Sequence, residues 1–202
     1  HRVVLVRWIS LLGSTLGFIV ALPLYTGFDS TLSSMQFVEQ YIWFERFNVY
    51  YHLGIDGISM PLILLNCLIT PLVVIAGWEV IRDRTSQYFD AFLIMSGIVN
   101  GVFASLDAVL FYTFWEASLI PMFIIIGVWG GPNRVYAAIK FFLYTLLGSL
   151  LMLVALLYLY HESEGSFSIL SYHQLPLAMT PQILIFLAFL LAFAVKVPMW
   201  PV

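Results

Sequence analysis

Charge is what this sequence has least of. Only 9% of its 202 residues are Asp, Glu, Lys or Arg, against about 25% in a soluble domain. A chain so poor in charge cannot wet its own surface, so most of that surface faces something other than water. The net charge is −3 and no basic run stands out, so there is no electrostatic footprint for nucleic acid. Cysteine is nearly absent: Cys67 stands alone inside an apolar run. One thiol excludes an intrachain disulfide, a thiolate zinc site and an iron–sulfur cluster held by this chain alone. It reads as a small buried hydrophobe. His1, His52, His161 and His173 fall in loops or at the terminus, without metal-ligand spacing. There is no G-x-G-x-x-G, no P-loop and no c-type haem motif. The chain therefore shows no means of its own to bind a metal, a nucleotide or an electron carrier.

What is there is apolar. Hydrophobic residues make up 62% of the chain and the mean hydropathy is +0.98. A helix needs about 20 apolar residues to cross a bilayer. Six runs meet or approach that length: 8–25, 58–80, 88–105, 108–129, 137–160 and 181–197. Pro61 and Pro71 interrupt the second, and Pro198 breaks the last. The first is too long for a secretory h-region and has no A-x-A-like site, so it reads as a span. The expected fold is an all-α polytopic membrane bundle. The chain starts at His1 and stops just after Pro198-Met199-Trp200-Pro201. Both ends read as cuts, and residues 1–202 as one transmembrane fragment of a longer protein.

The loops give the orientation. With six alternating crossings, one side holds Arg2, Arg7, Arg82, Arg84 and Arg134, with Lys140 just inside. The other holds Arg46 with Asp29, Glu39, Glu45, Asp56, Glu162 and Glu164. The positive-inside rule turns the first side to the cytoplasm or its organellar equivalent. Residues 26–57 form a periplasmic-type loop rich in aromatics, among them Phe37, Tyr41, Trp43, Phe44, Phe47, Tyr50 and Tyr51. These suit an interfacial layer, with Asn48–Leu53 extended and able to form a short hairpin. No internal repeat is visible; a partner repeat would lie beyond Val202.

Two charges sit deep inside the spans. Glu116 lies nine residues into the fourth run, about 13 Å from the acidic side at 1.5 Å per residue. An acid at a helix centre costs about 2.5–3.5 kcal/mol to insert, so something must offset it. Tyr112 and Thr113, one turn earlier, are candidate donors, and Pro121 frees the Ala117 carbonyl and favours a kink. Lys196 lies about fifteen residues into the last run, roughly 20 Å in, beside the Pro198 break. Ala188 and Ala192 share its face and leave room for a close helix or for water. On the fifth run Lys140, Tyr144 and Gly148 recur at i+4, with Thr145 and Ser149 alongside. For Gly148 and Ser149 close helix packing is a sufficient explanation, and Lys140 is near enough to the interface to snorkel.

Glu116 and Lys196 read either as a static ion pair that fixes bundle geometry or as a proton relay. Moving the carboxylate from about 4 to 8 Å from the ammonium, at an effective dielectric near 20, weakens the attraction from about 4 to 2 kcal/mol. That changes proton affinity more than tenfold. The two groups would titrate as a coupled pair.

Four stretches carry a family resemblance. They are Leu53-Gly54-Ile55-Asp56-Gly57-Ile58-Ser59, Phe114-Trp115-Glu116 with Leu119-Ile120-Pro121-Met122, Gly127-Val128-Trp129-Gly130, and Phe193-Ala194-Val195-Lys196-Val197-Pro198-Met199 before Trp200-Pro201-Val202. In this order the chain resembles chain M, or chain 4, of the proton-pumping NADH:quinone oxidoreductase, complex I, over residues from about 48 to 202. The resemblance implies an antiporter-like fold of two inverted repeats with broken helices. Glu116 matches the family's essential membrane glutamate, and Lys196 the lysine on the first broken helix that pairs with it. Lys140 matches more loosely a basic residue near the start of the next helix. The family's later lysine and second broken helix would lie beyond Val202. The resemblance further implies partner subunits in the bacterial inner (cell) membrane or the mitochondrial inner membrane. Those partners, not this chain, would hold NAD, FMN, iron–sulfur clusters and quinone, while this chain moves protons within the lipid bilayer. A cation/proton antiporter complex or a membrane-bound hydrogenase shares the module and stands as the alternative. A structural scaffold with a permanent ion pair is a third.

Overall fold

A computed structural model describes residues 2–199. The chain runs α1 (Arg2–Thr26), β1 (Gln36–Phe44), a 3-10 turn (Glu45–Phe47), β2 (Val49–Ile55), α2 (Ser59–Ala76), α3 (Thr85–Ala104), α4 (Ala108–Ala117), α5 (Leu119–Trp129), α6 (Arg134–Glu162), α7 (Ile169–Tyr172) and α8 (Met179–Lys196). His1 and the Trp200-Pro201-Val202 end of the last motif lie outside the described residues. Among the described residues, six segments are long and apolar enough to span a membrane: α1, α2, α3, α4 with α5, α6, and α8. The protein is a multi-pass membrane helix bundle.

The helices differ from the apolar runs at their ends. Hydropathy counts greasy side chains, whereas a helix continues through polar residues that reach the interface. So α1 starts at Arg2, α3 at Thr85 and α6 at Arg134, each before the run it contains. In the other direction, α2 stops at Ala76, short of the expected Val80: Gly77 closes it, its N–H bonded to the Val73 carbonyl at 3.0 Å. Residues 77–80 form a turn.

The expected aromatic loop folds further than its sequence announces. Gln36–Phe44 is rich in Val, Ile, Tyr, Trp and Phe, which favour a pleated strand, and it pairs antiparallel with Val49–Ile55. Asn48 sits left-handed at φ 53° in the turn, a conformation that Asn adopts more readily than most residues.

Two packing units result. α1, α2 and α3 pack on one another, as do α6 with α5 and α8, while α3 joins the units through α4 and α5. Neutral polar side chains bind α2 to α3. Asn66 Nδ2 donates to Asn100 Oδ1 at 2.8 Å and to the Ser96 carbonyl at 2.9 Å. Thr70 Oγ1 lies 2.7 Å from Ser96 Oγ, and Asn100 Nδ2 donates to the buried Cys67 Sγ at 3.3 Å.

Loop contacts show which ends share a side. Arg7 Nη2 donates to the Ile81 carbonyl at 3.3 Å and Trp129 Nε1 to the Asp83 carbonyl at 2.9 Å, gathering the arginine-rich ends. Opposite them, Leu106 N–H donates to His52 O at 2.9 Å, Ala108 N–H to Phe167 O at 2.8 Å and Ile169 N–H to Leu106 O at 2.9 Å.

Candidate functional site

The fourth span breaks where its sequence predicts. Pro121 has no N–H for the Ala117 carbonyl, and the helix lapses at Ser118 between α4 and α5. Ser118 Oγ donates to the Trp115 carbonyl at 2.7 Å. Glu116 lies in the last turn of α4, just before this lapse and about 12 Å past the helix start.

α8 brings Lys196 to the same point. Its small residues Ala192 and Ala194 are buried, and Gly148 of α6 lets Val195 approach. A Cβ on Gly148 would stand 3.0 Å from Val195 Cγ2, closer than ordinary contact. α8 ends on Lys196, where the carbonyl end of the helix dipole favours a cation. Its Nζ donates to the Trp115 carbonyl at 2.9 Å and to Ser118 Oγ at 2.7 Å, and sits 3.9 Å from the centre of the Trp115 ring. Phe193 meets that ring edge-on at 5.3 Å.

The charges are adjacent but not closed on each other. Both bonds of Lys196 Nζ go to the residues flanking Glu116 rather than to its carboxylate. Glu116 Oε1 is buried without a hydrogen-bond partner. Neither sequence-expected donor fills that gap: Thr113 Oγ1 donates instead to the Val109 carbonyl at 2.7 Å. A buried carboxylate oxygen left unpaired is costly, so it has room to accept a hydrogen bond from a water or from the ammonium.

The structure does not bring Lys140 to this pair. Lys140 is exposed on α6, lining an outer groove with Tyr136, Leu143 and Tyr144. Of the polar stripe read on this helix, Thr145, Gly148 and Ser149 are buried and Lys140 and Tyr144 are not.

Sequence reasoning missed three contributors. Trp115 and Ser118 are the actual partners of Lys196; a serine two residues after the glutamate and three before Pro121 was the available signal. Asp107 was the other. It is only 1% exposed. One carboxylate oxygen accepts the Val109 and Leu110 N–H groups at 2.9 and 3.1 Å, capping α4, and the other accepts the Tyr50 N–H of β2 at 3.0 Å. An aspartate directly before an apolar run is a helix-start signature. Burial pushes the Asp107 carboxyl above the usual carboxylate range, against these backbone donors and the neighbouring His52, which pull it down. Burial likewise pulls the His52 imidazole below its ordinary value, partly offset by the Asp107 charge.

Comparisons with known proteins bear on the whole chain. The family described as NADH-ubiquinone oxidoreductase chain 4, amino terminus, matches residues 4–104. The family described as NADH:quinone oxidoreductase/Mrp antiporter, transmembrane, matches residues 105–202. NADH-quinone oxidoreductase subunit M of Rhodobacter capsulatus is 44% identical over 209 residues, a match that takes in 97% of this chain and 40% of that protein. NADH-ubiquinone oxidoreductase chain 4 of Arabidopsis thaliana is 43% identical over 202 residues, covering 100% of this chain and 41% of the relative. Among solved structures, a chain of respiratory complex I from Thermus thermophilus with bound NADH superposes with a TM-score of 0.85 at 31% identity, over 96% of this chain and 40% of its own. The chain thus spans about two fifths of the length of the relatives it matches.

Proposed function

The chain belongs to the NADH-ubiquinone oxidoreductase chain 4 family, and from that premise we propose that it serves as an antiporter-like membrane subunit of respiratory complex I, translocating protons. The membrane is a bacterial or mitochondrial inner membrane. Partner subunits carry the NADH:quinone electron transfer, with NAD, FMN, iron–sulfur clusters and quinone bound there. The other membrane subunits of the complex flank this chain in the bilayer.

One observation supports the relay most: Lys196 Nζ is held by Trp115 and Ser118 while the carboxylate between them in sequence keeps a buried, unpartnered oxygen. This is an open state of a two-position switch. Bringing the ammonium from about 8 to about 4 Å of the Glu116 carboxylate would strengthen their attraction by about 2 kcal/mol at an effective dielectric near 20. Closure favours the charged lysine and opening favours release of its proton. The Trp115 ring and carbonyl and the Ser118 hydroxyl define the open position. Lys140 is proposed as a further carrier near the arginine-rich side, separate from the pair.

The test is Glu116→Ala in the full-length subunit within the assembled complex. Quinone-linked proton pumping should fall roughly tenfold or more, while the complex still assembles. Full pumping by an assembled variant would sink the assignment. Replacing Glu116 by Leu and Lys196 by Met together separates relay from scaffold, since a scaffold keeps function and a relay loses it. The family description for residues 105–202 also names the Mrp antiporter, which keeps a cation/proton antiporter complex as the second reading. Purifying the native assembly decides: a flavin- and iron–sulfur-containing arm supports complex I, and a stable assembly without one counts against it.

A further inference from the structure

A cavity of about 840 Å³ opens on the arginine-rich side, where the α2–α3 connection, the end of α5 and the start of α6 meet. Arg82, Arg84 and Arg134 line it. Asp83 is the acid among the lining residues, so three cations against one anion leave two positive charges there. Among the described residues, no hydrogen bond engages any of the three guanidinium groups. α3 and α6 both begin at this rim, and neither N-cap residue, Arg84 or Asn133, gives its helix a side-chain cap. Free N–H groups and the positive ends of two helix dipoles therefore add to the arginines.

The rim is held in place. Trp129 Nε1 grips the Asp83 carbonyl and Arg7 Nη2 the Ile81 carbonyl, fixing the segment that carries Arg82 and Arg84. Its depth is set by tryptophans. Trp129 ends α5, and Trp8 of α1 meets Trp78 just past α2 edge-on at 5.3 Å. Tryptophan collects at the level of lipid headgroups. Val80 and Val128 also line the cavity, adding apolar surface to its charged wall.

We propose that Arg82, Arg84 and Arg134 bind the phosphodiester headgroup of an anionic phospholipid in the leaflet on the arginine-rich side. Arginine suits this role because its planar fork matches phosphate oxygens two at a time, and basic pockets between transmembrane helices on this side of a membrane take such headgroups. Inorganic phosphate shares the chemistry but has no acyl chains to lie along the apolar wall and lipid-facing helices. The inference is independent of the proposed relay.

The test uses the full-length subunit in its purified native assembly. A photoactivatable phosphatidylglycerol, with phosphatidylcholine as control, is cross-linked and the labelled peptides are mapped. Phosphatidylglycerol should label 80–84 or 127–134, and phosphatidylcholine should label them at least several-fold less. Equal labelling by both lipids, or labelling only elsewhere, overturns the proposal. Millimolar inorganic phosphate should leave the labelling intact; abolishing it would make the site one for free phosphate and overturn the lipid assignment. In the variant R84Q/R134Q, the labelling of these peptides should fall about tenfold, and unchanged labelling again overturns it. Should that variant fail to assemble, the wild-type map decides.

Discussion

Lys196 Nζ sits 3.9 Å above the centre of the Trp115 ring while donating a 2.9 Å hydrogen bond to the carbonyl of the same residue. One residue thus holds the ammonium with two of its parts, and only one can be removed by mutation. Trp115→Leu deletes the ring and leaves the carbonyl. A desolvated cation–π contact is worth about 2 kcal/mol, so on the proposed relay, pumping by the assembled complex in reconstituted vesicles should slow several-fold to roughly thirtyfold. Trp115→Phe keeps a ring and should recover most of it. Equal rates in the Leu and Phe variants would show that the ring takes no part.

Gly148 sets how closely α8 approaches α6. Gly148→Val puts branched carbon where a single Cβ already stands 3.0 Å from Val195. Overpacking of this kind costs about 1–3 kcal/mol. Thermal unfolding of the full-length chain should move to lower temperature, and on the proposed relay, pumping by the assembled complex should fall because Lys196 directly follows Val195. Gly148→Ala should lie between the two. Wild-type behaviour of the Val variant on both readouts would contradict the close approach.

Asp107 serves α4 and β2 with different oxygens. Asn is as good an N-cap as Asp, so Asp107→Asn should keep the cap and lose the Tyr50 bond, because its amide turns a donor toward a donor. Asp107→Ala loses both and leaves buried N–H groups unpaired, each costing about 1–3 kcal/mol. The expected order of thermal stability is wild type, then Asn, then Ala. An Ala variant as stable as wild type would remove Asp107 from any structural account.

His52 makes the acidic side pH-sensitive. Its imidazole is held below its ordinary value of 6.5 by burial, so the unfolded chain binds the proton first as pH falls. Stability contributed by neutral His52 is then fully present above about pH 6.5 and declines below it, levelling off beneath the folded value. Thermal stability measured from pH 7.5 to 5 should drop less in His52→Gln than in wild type. A parallel pair of profiles would exclude His52 as the source.

How much of this was legible in the sequence follows from which signals are local. Six greasy runs were enough for the bundle, because a bilayer tests length and hydropathy alone. Glu116 and Lys196 stood out because charge is rare there, and Pro121 marked the lapse at Ser118. The hairpin was half seen: aromatic and β-branched residues at 36–44 read as an interfacial layer, and pairing with 49–55 is a tertiary fact. The polar ties Asn66–Asn100 and Thr70–Ser96 carry no charge and left hydropathy almost unmarked. The partners of Lys196 were hidden for another reason. One is a backbone carbonyl, which every residue has, and only the fold decides which one is free to accept.

The hydrogen bonds on the acidic side also impose an order on biosynthesis. His52 O can take the Leu106 N–H only after α2 and α3 have both crossed, as a complete down-and-back pair. Phe167 O and the Ile169 N–H can close on Ala108 and Leu106 only after α6 has crossed as well. The hairpin therefore leaves the ribosome early but is fastened late. Until then the start of α4, and with it the setting of Glu116, is unsecured on the far side of the membrane. Membrane insertion of this chain is a sequence of crossings gathered by a clasp once α6 has passed, and the clasp reports that the crossings before it have the right sense.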